Sequence, residues 1–424
     1  MLDINFIREN KEKVIKGLKK RLFADVALVD RVLRLDEERK ALITEAEKIR
    51  VERNKVAKEG KVSEEGRKLK EELKEIEEKL DKIESEYKET LYKIPNLPDD
   101  DIPEGPEENK KIIKTVGEKT KFDFTPKDHL DLGTALEIID IGRASKISGS
   151  RFAYLRGDAV LLEFALINFA MEKLIKEGFT PILPPMLIKK EITEGLGYWH
   201  GGGNENYYFV KDYEELAGNK ERELDLYLVG TGEHSVASMH SGEVFEERQL
   251  PVKYAAFSSC FRREAGSYGK DTKGILRMHQ FDKVEMVVYC TPEQAEDLLQ
   301  KMLSYSESLM KDLGLPFQIV TLAAGDLGFP TRKTYDVEVW LPGQGKYRET
   351  HSISTTTDYQ ARRFNTKYKS SDGNKYVHIL NGTAFAIGRT IIAILENYQQ
   401  KDGSVIVPEV LRKWTGKDKI VAKK

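Results

Sequence analysis

Two apolar seams, each spaced alternately four and three residues apart, constrain the N-terminal part of this chain more than any other feature. The first runs through Leu28, Val32, Leu35, Arg39, Leu42, Ala46, Ile49, Arg53 and Val56, with two arginines interrupting it. The second is cleaner: Leu69, Leu73, Ile76, Leu80, Ile83, Tyr87, Leu91 and Ile94. A stripe of that period is the a/d seam of a coiled coil. Between the seams, Glu59-Gly60-Lys61-Val62-Ser63 supplies a helix-ending glycine and a serine near the next helix start. A link that short makes the helices antiparallel neighbours. At about thirty residues per helix and ~1.5 Å per residue, the arm is roughly 45–50 Å long. Pro95, Pro98, Pro103 and Pro106, mixed with acidic residues, then end the helix and form a linker.

Such a hairpin has two readings. It is a dimerisation coil or solvated spacer, or it reaches a distant part of a large partner. Its faces carry Lys19, Lys20, Arg21, Arg31, Arg34, Lys40, Lys48, Arg50, Lys55 and Lys58, suited to tracking a phosphate backbone. Glu37, Glu38, Glu45, Glu47 and Glu52 are interleaved, so charge alone does not separate the two.

The full length of 424 residues exceeds one ordinary core, which predicts two domains: an arm with its linker over 1–110 and a second domain over 111–424. The 69 Lys+Arg and 71 Asp+Glu leave a net charge of −2, so any basic surface is local. The two cysteines, Cys260 and Cys290, lack metal-ligand spacing, which argues against a disulfide scaffold or a Cys-based zinc site and fits a reducing cytoplasm. Met1-Leu2-Asp3-Ile4-Asn5-Phe6 leads straight into charged residues, and no apolar run reaches membrane-spanning length. The expectation is a soluble cytoplasmic protein with no membrane partner.

Beyond residue 110, strand and helix patterns alternate. Residues 159–176, 292–313 and 384–398 read as helices, and 257–261, 281–289, 317–322, 335–341 and 376–381 as strands. Strands joined by loops rather than regular crossovers predict an α+β domain, a mainly antiparallel sheet flanked by helices. Neither a P-loop nor a dinucleotide-binding glycine motif is present.

Four polar groupings stand out instead. Arg262 and Glu264 precede a glycine-bearing loop, and Glu285 lies on the strand after it. Thr231-Gly232-Glu233 follows the apolar run Leu226-Tyr227-Leu228-Val229. Arg348-Glu349-Thr350-His351-Ser352 is the third. In the fourth, Asn381-Gly382-Thr383 leads to Arg389, an arginine entering a helix filled by Ile391, Ile392, Ile394 and Leu395. An ionised group on a core-facing strand is expensive unless a partner or ligand satisfies it, so these groups read as the floor of a polar site for a phosphorylated ligand. The bland alternatives are an Arg262–Glu264 ion pair, Glu285 on an exposed edge and Arg389 as a snorkelling surface residue. His234, His279 and His351 have no legible nucleophile beside them and read as held by polar neighbours. The glycine-rich residues 195–203 read as a flexible loop or a lid.

Taken jointly, these residues resemble the seryl-tRNA synthetases of ordinary bacterial type, class II aminoacyl-tRNA synthetases, over nearly the whole chain. Gly178-Phe179-Thr180-Pro181 through Pro185 resembles motif one, a dimer-interface element. Phe261-Arg262-Arg263-Glu264 through Phe281 and Glu285 is similar to motif two, and Asn381-Gly382-Thr383 through Gly388-Arg389 to motif three. The resemblance implies that serine's carboxylate attacks the α-phosphorus of ATP, with Arg262 and Arg389 as the catalytic cations. For ATP it implies Phe281 stacking on adenine, Glu264 at the adenine end, and Arg263, Thr350 and His351 nearby. It implies Mg²⁺ on Glu349 and Ser352, oxygen ligands suited to a hard ion. For serine it implies Glu233 pairing the ammonium beside Thr231 and Gly232, with Glu285, Thr383 and Asn381 around the hydroxyl. The partners implied are tRNA(Ser), its long variable arm lying along the hairpin, tRNA(Sec) where present, and a second copy in a homodimer. Lys270, Lys273 and Arg277 would meet the acceptor end. Thr350-His351 and Ile353 depart from the small-residue run of many members, and Thr383 replaces a serine while keeping the hydroxyl. A repurposed relative would lack one of Arg262, Glu285, Glu349 or Arg389, and a carrier-protein ligase would lack the arm; all are present.

Overall fold

The computed structural model describes residues 1–58, 64–199, 203–211, 226–265 and 273–422. The turn at 59–63, residues 200–202 of the glycine-rich segment, and the motif-two loop from Gly266 through Lys270 lie outside the described residues. The chain divides into two compact units, Met1–Leu97 and Pro98–Lys424.

In the first unit, the Leu28–Lys58 and Glu64–Tyr92 helices pack through Leu42, Ala46 and Ile49 against Leu69, Leu73 and Ile76. Ion pairs Arg31–Glu86, Arg39–Glu84 and Arg50–Glu77 lie at 2.8, 3.1 and 2.8 Å. Partner numbers rise on one helix as they fall on the other, so the helices run antiparallel. The 31-residue helix spans about 46 Å. Several basic residues are spoken for: Arg31 and Arg50 staple the helices, Lys40 pairs with buried Asp36, and buried Arg21 donates to the Asn96 carbonyl. Arg34, Lys48, Lys55 and Lys58 remain exposed.

Of the proline-rich segment, Pro98, Pro103 and Pro106 belong to the second unit. Ile102 is buried against Val320, Leu322, Ala324 and Leu327, and the Ala324 N–H donates to the Pro103 carbonyl at 2.8 Å. The division thus falls at 97/98 rather than 110/111, because the segment after Leu97 carries its own buried side chain.

The second unit is built on an eight-stranded sheet. Its strands are β1 (Lys111–Val116), β2 (Thr180–Ile182), β3 (Val252–Phe261), β4 (Gln280–Cys290), β5 (Phe317–Thr321), β6 (Lys333–Leu341), β7 (Lys346–Thr357) and β8 (His378–Ala386). Their order is β1-β5-β6-β7-β8-β4-β3-β2, antiparallel throughout except for β2 on β3. Helices Asp158–Lys176, Pro292–Asp312 and Ile387–Asn397 bury Leu162, Leu299 and Ile391 against sheet residues such as Val284, Met286 and Val337. The opposite face of the central strands is polar and forms the floor of a cleft.

Two elements differ from the sequence pattern. β7 carries almost no apolar side chains and so lacks the apolar alternation of a strand, though its threonines favour one; its place between β6 and β8 makes it one. Residues 384–386 are strand rather than helix because Thr383 and Phe385 pair with Glu285 and Val284 on β4, and the helix starts at Ile387.

Candidate active site

The cleft encloses about 680 Å³. Strand alternation explains its floor: β4 contributes Phe281, Lys283 and Glu285, β8 Asn381 and Thr383, and β6 Thr334 and Asp336. On β7, Glu349 and Ser352 are three apart and in a regular strand would face opposite ways. A bulge between Val337/Glu338 and their partners absorbs Thr350, so both face the cleft while His351 turns away. His351 is buried, its Nδ1 2.8 Å from the Thr350 hydroxyl, and burial depresses its pKa to about 4. His351 and Arg263 do not line the cleft. Arg262 faces the cleft, and Arg263, the next residue, does not.

At one end, Thr231 caps the Gly232–Val236 helix, its hydroxyl accepting the Glu233 N–H at 3.2 Å. Gly232 acts by being small: a Cβ there would stand 3.3 Å from Ala256 Cβ and from Ser258 Oγ, a tight fit, so glycine favours the close approach of this helix to β3. The Glu233 carboxylate is buried and accepts from the Tyr198 hydroxyl at 3.2 Å and from Gln360 Nε2 at 2.9 Å. Burial pushes its pKa up to about 7, Gln360 opposes the shift, and the Glu285 charge adds to it. Nearby, Thr383 Oγ1 lies 3.4 Å from Glu285, and the Asn381 Nδ2 is buried without a hydrogen-bond partner among the described residues. His234 is structural, its Nδ1 accepting the Gly230 N–H at 3.2 Å.

At the other end, Arg262 Nε donates to the Gly230 carbonyl at 3.0 Å and its guanidinium sits 5.4 Å from the Phe281 ring centroid. Glu264 pairs with Arg277 at 3.2 Å, which places Arg277 in the cleft wall. Arg389 pairs with Glu349 at 3.1 Å; burial pushes the Glu349 carboxyl up, but Arg389 outweighs it and holds the group below the usual range. Asp336 faces Ser352 across the β6–β7 ladder, and its buried Oδ1 has no hydrogen-bond partner among the described residues. Burial and the Glu349 charge push the Asp336 carboxyl well above the ordinary carboxylate range.

Among the described residues, no cluster of three or more His, Cys, Asp or Glu is arranged as a metal cage. The Glu349 carboxylate, the Ser352 hydroxyl and the orphaned Asp336 oxygen nonetheless form an oxygen-only donor set. That set fits a hard divalent cation completed by phosphate oxygens and water.

Sequence reasoning missed Lys283, Asp336, Tyr198, Tyr207 and Gln360. Lys283 and Asp336 were findable: each is a charge in an apolar strand, Lys283 two residues from Glu285 and therefore on the same face. The tyrosines and Gln360 carried no such signal, because only tertiary folding brings them to Glu233.

Residues 210–398 match the tRNA synthetase class II core domain (G, H, P, S and T), and residues 1–98 match the Seryl-tRNA synthetase N-terminal domain. The antiparallel sheet with its arginine-bearing cleft is thus a class II aminoacyl-tRNA synthetase core. Serine--tRNA ligase of Thermodesulfovibrio yellowstonii is 45% identical over 99% of this chain and 100% of its own. That of Thermotoga maritima is 46% identical over 98% and 99%. The crystal structure of seryl-tRNA synthetase from Pyrococcus horikoshii complexed with ATP matches all of both chains with a TM-score of 0.90 at 38% identity. The chain belongs to the seryl-tRNA synthetase family.

Proposed function

We propose that this enzyme activates L-serine with ATP to seryl-adenylate and esterifies serine to tRNA(Ser). One observation carries the reading: a buried anionic pocket at Glu233 and Glu285 opens into the same cleft as Arg262 and Arg389. A zwitterion with a hydroxyl fits the first part, and a polyphosphate fits the second.

Serine's carboxylate is ionised at neutral pH, so adenylate formation needs alignment and charge neutralisation rather than a base. Glu233 takes the ammonium beside Thr231. Glu285 and Thr383 take the hydroxyl, with Asn381 Nδ2 as a further donor to it. Alanine would leave those buried groups unpaired and is rejected strongly; threonine is rejected by bulk, a weaker discrimination. Arg262, tethered by Gly230, bridges serine's carboxylate and the α-phosphate, and Arg389 holds the far phosphate. Phe281 offers its ring to adenine and Glu264 its carboxylate to the same end. Glu349 and Ser352, with Asp336 beside them, would hold a Mg²⁺ ion, which would supply charge neutralisation to the phosphates.

The helical hairpin binds tRNA by shape and backbone, using exposed cations such as Arg34, Lys48 and Lys55. That mode does not read anticodons, so it extends to tRNA(Sec) where present. A homodimer is supported by apolar side chains left on the surface around motif one, including Phe164 (58% exposed), Leu183 (78%) and Met186 (42%). No helix among the described residues is long and apolar enough to cross a membrane, and cytoplasmic action fits the substrates.

Charging unfractionated bacterial tRNA with labelled serine, then sequencing the charged fraction, tests the reading. Serine acceptors, with tRNA(Sec) if present, should dominate. Charging of tRNAs that lack a long variable arm would contradict it.

A further inference from the structure

Tyr207 joins the cleft from the segment just before the Tyr208–Val210 strand. Its ring packs near His234, Trp199 and Tyr227, with centroids at 5.5, 5.9 and 6.3 Å. The residue is 6% exposed. Its hydroxyl is buried and has no hydrogen-bond partner among the described residues. An orphaned buried hydroxyl costs free energy comparable to a lost hydrogen bond, so a phenol kept that way in a ligand cleft is awaiting a ligand atom. Burial first, then the Glu233 charge, push the phenol's pKa up while Arg262 opposes, so the group stays protonated and feels both ends of the amino-acid pocket.

The ammonium of an amino acid brings three N–H donors and no acceptor. Glu233 Oε1 already accepts from Gln360 Nε2 and the Tyr198 hydroxyl, which leaves Oε2, also 3.2 Å from the Tyr198 hydroxyl, as its more open oxygen. Thr231 Oγ1 accepts the Glu233 N–H and has one lone pair left. With one N–H on Glu233 and one on Thr231, the Tyr207 oxygen, which lines the same cleft and is unpaired among the described residues, is a neutral acceptor for the third.

We propose that the Tyr207 hydroxyl oxygen accepts the third ammonium N–H of the bound serine, making it a substrate-contacting residue of the amino-acid pocket. This rests on the serine reading given above. The contact orients the α-carbon, so it sets how serine's carboxylate is presented to Arg262. It also selects for an α-amino group.

The full-length Tyr207→Phe variant keeps the ring and removes the oxygen. Two non-hydrolysable sulfamoyl-adenosine analogues serve as probes, one carrying L-serine and one carrying 3-hydroxypropanoate, which lacks the amino group. Calorimetry should show the variant binding the seryl analogue about tenfold more weakly, the loss expected for one hydrogen bond to a charged group, with the des-amino analogue unchanged. In exchange assays, KM for serine should rise while KM for ATP stays constant. Equal weakening of both analogues, or of neither, would overturn the proposal, since a packing role does not distinguish them. Should the variant prove unstable, the wild type still decides: the amino group must favour binding, and a wild type that binds both analogues equally rejects the ammonium site altogether. Absence of serine-dependent exchange by wild type would instead reject the underlying substrate reading.

Discussion

Lys283 Nζ stands 2.5 Å from a carboxylate oxygen of Glu285, and the two side chains are only 8% and 3% exposed. Neighbours two apart on β4, they face the cleft together, and the lysine is the counter-charge of the buried Glu285 carboxylate proposed to take serine's hydroxyl. Breaking a buried pair by removing one partner costs about 3–5 kcal/mol, because the other charge is left uncompensated. Lys283→Met should therefore lower the thermal midpoint by several degrees and raise KM for serine. Adding Glu285→Gln should recover most of the stability but none of the serine affinity. Differential scanning calorimetry with exchange kinetics checks both; a double variant as unstable as the single one would show that the pair acts otherwise.

The Glu233 carboxyl, lifted by burial to about 7, must be ionised to pair an ammonium. In the free enzyme, kcat/KM for serine should thus fall on the acid side with an apparent pKa of about 7. Below that point the fall should approach tenfold per pH unit. Glu233→Gln should lose activity and flatten the profile. An acid limb unchanged in the variant would assign the titration to another group.

Glu163, on the Asp158–Lys176 helix, is pushed up to about 8 by burial and by its hydrogen bond to Asp282, a neighbour of Phe281 and Lys283. The unfolded chain releases that proton near 4.5, whereas the folded one keeps it until about 8. Between those values the unfolded state binds fewer protons, so this group's contribution to stability declines as pH rises from 4.5 to 8 and is flat beyond. Glu163→Gln should raise the thermal midpoint at pH 8 relative to wild type and leave it nearly unchanged near pH 4.5. Thermal melts across that range check it; parallel curves for the two proteins would refute it.

Deleting residues 30–95 removes most of both long helices and leaves the cleft's own residues untouched. Serine-dependent exchange should persist within about threefold, while tRNA charging drops by at least about a hundredfold, as expected for loss of a multi-phosphate contact surface. Equal charging by the truncated protein would remove the hairpin's role in tRNA binding.

How far the sequence goes depends on what each element needs. The hairpin was legible because a seam of period 3.5 admits few alternatives, and its Leu73, Ile76 and Leu91 are buried as the pattern requires. Arg262, Glu285 and Arg389 were legible because charge inside apolar runs is costly. β7 was not, since a strand sandwiched between two others needs no apolar alternation to pair. The Glu349–Ser352 facing depends on a bulge that no local residue announces. Likewise Gln360 reaches Glu233 across 127 positions in sequence, a contact only the assembled fold creates.

Arg262, Glu285, Glu349 and Arg389 of the second unit line one cleft, for which a serine–AMP anhydride is the proposed ligand. Serine-dependent ATP–pyrophosphate exchange, run across all amino acids with wild type and Arg262→Ala, tests it most directly. The wild type should exchange with serine above every other amino acid, and the variant should lose about 10²–10³-fold, as when a transition-state charge donor is removed. Exchange driven by another amino acid, or an Arg262→Ala enzyme retaining near-normal rates, would contradict it.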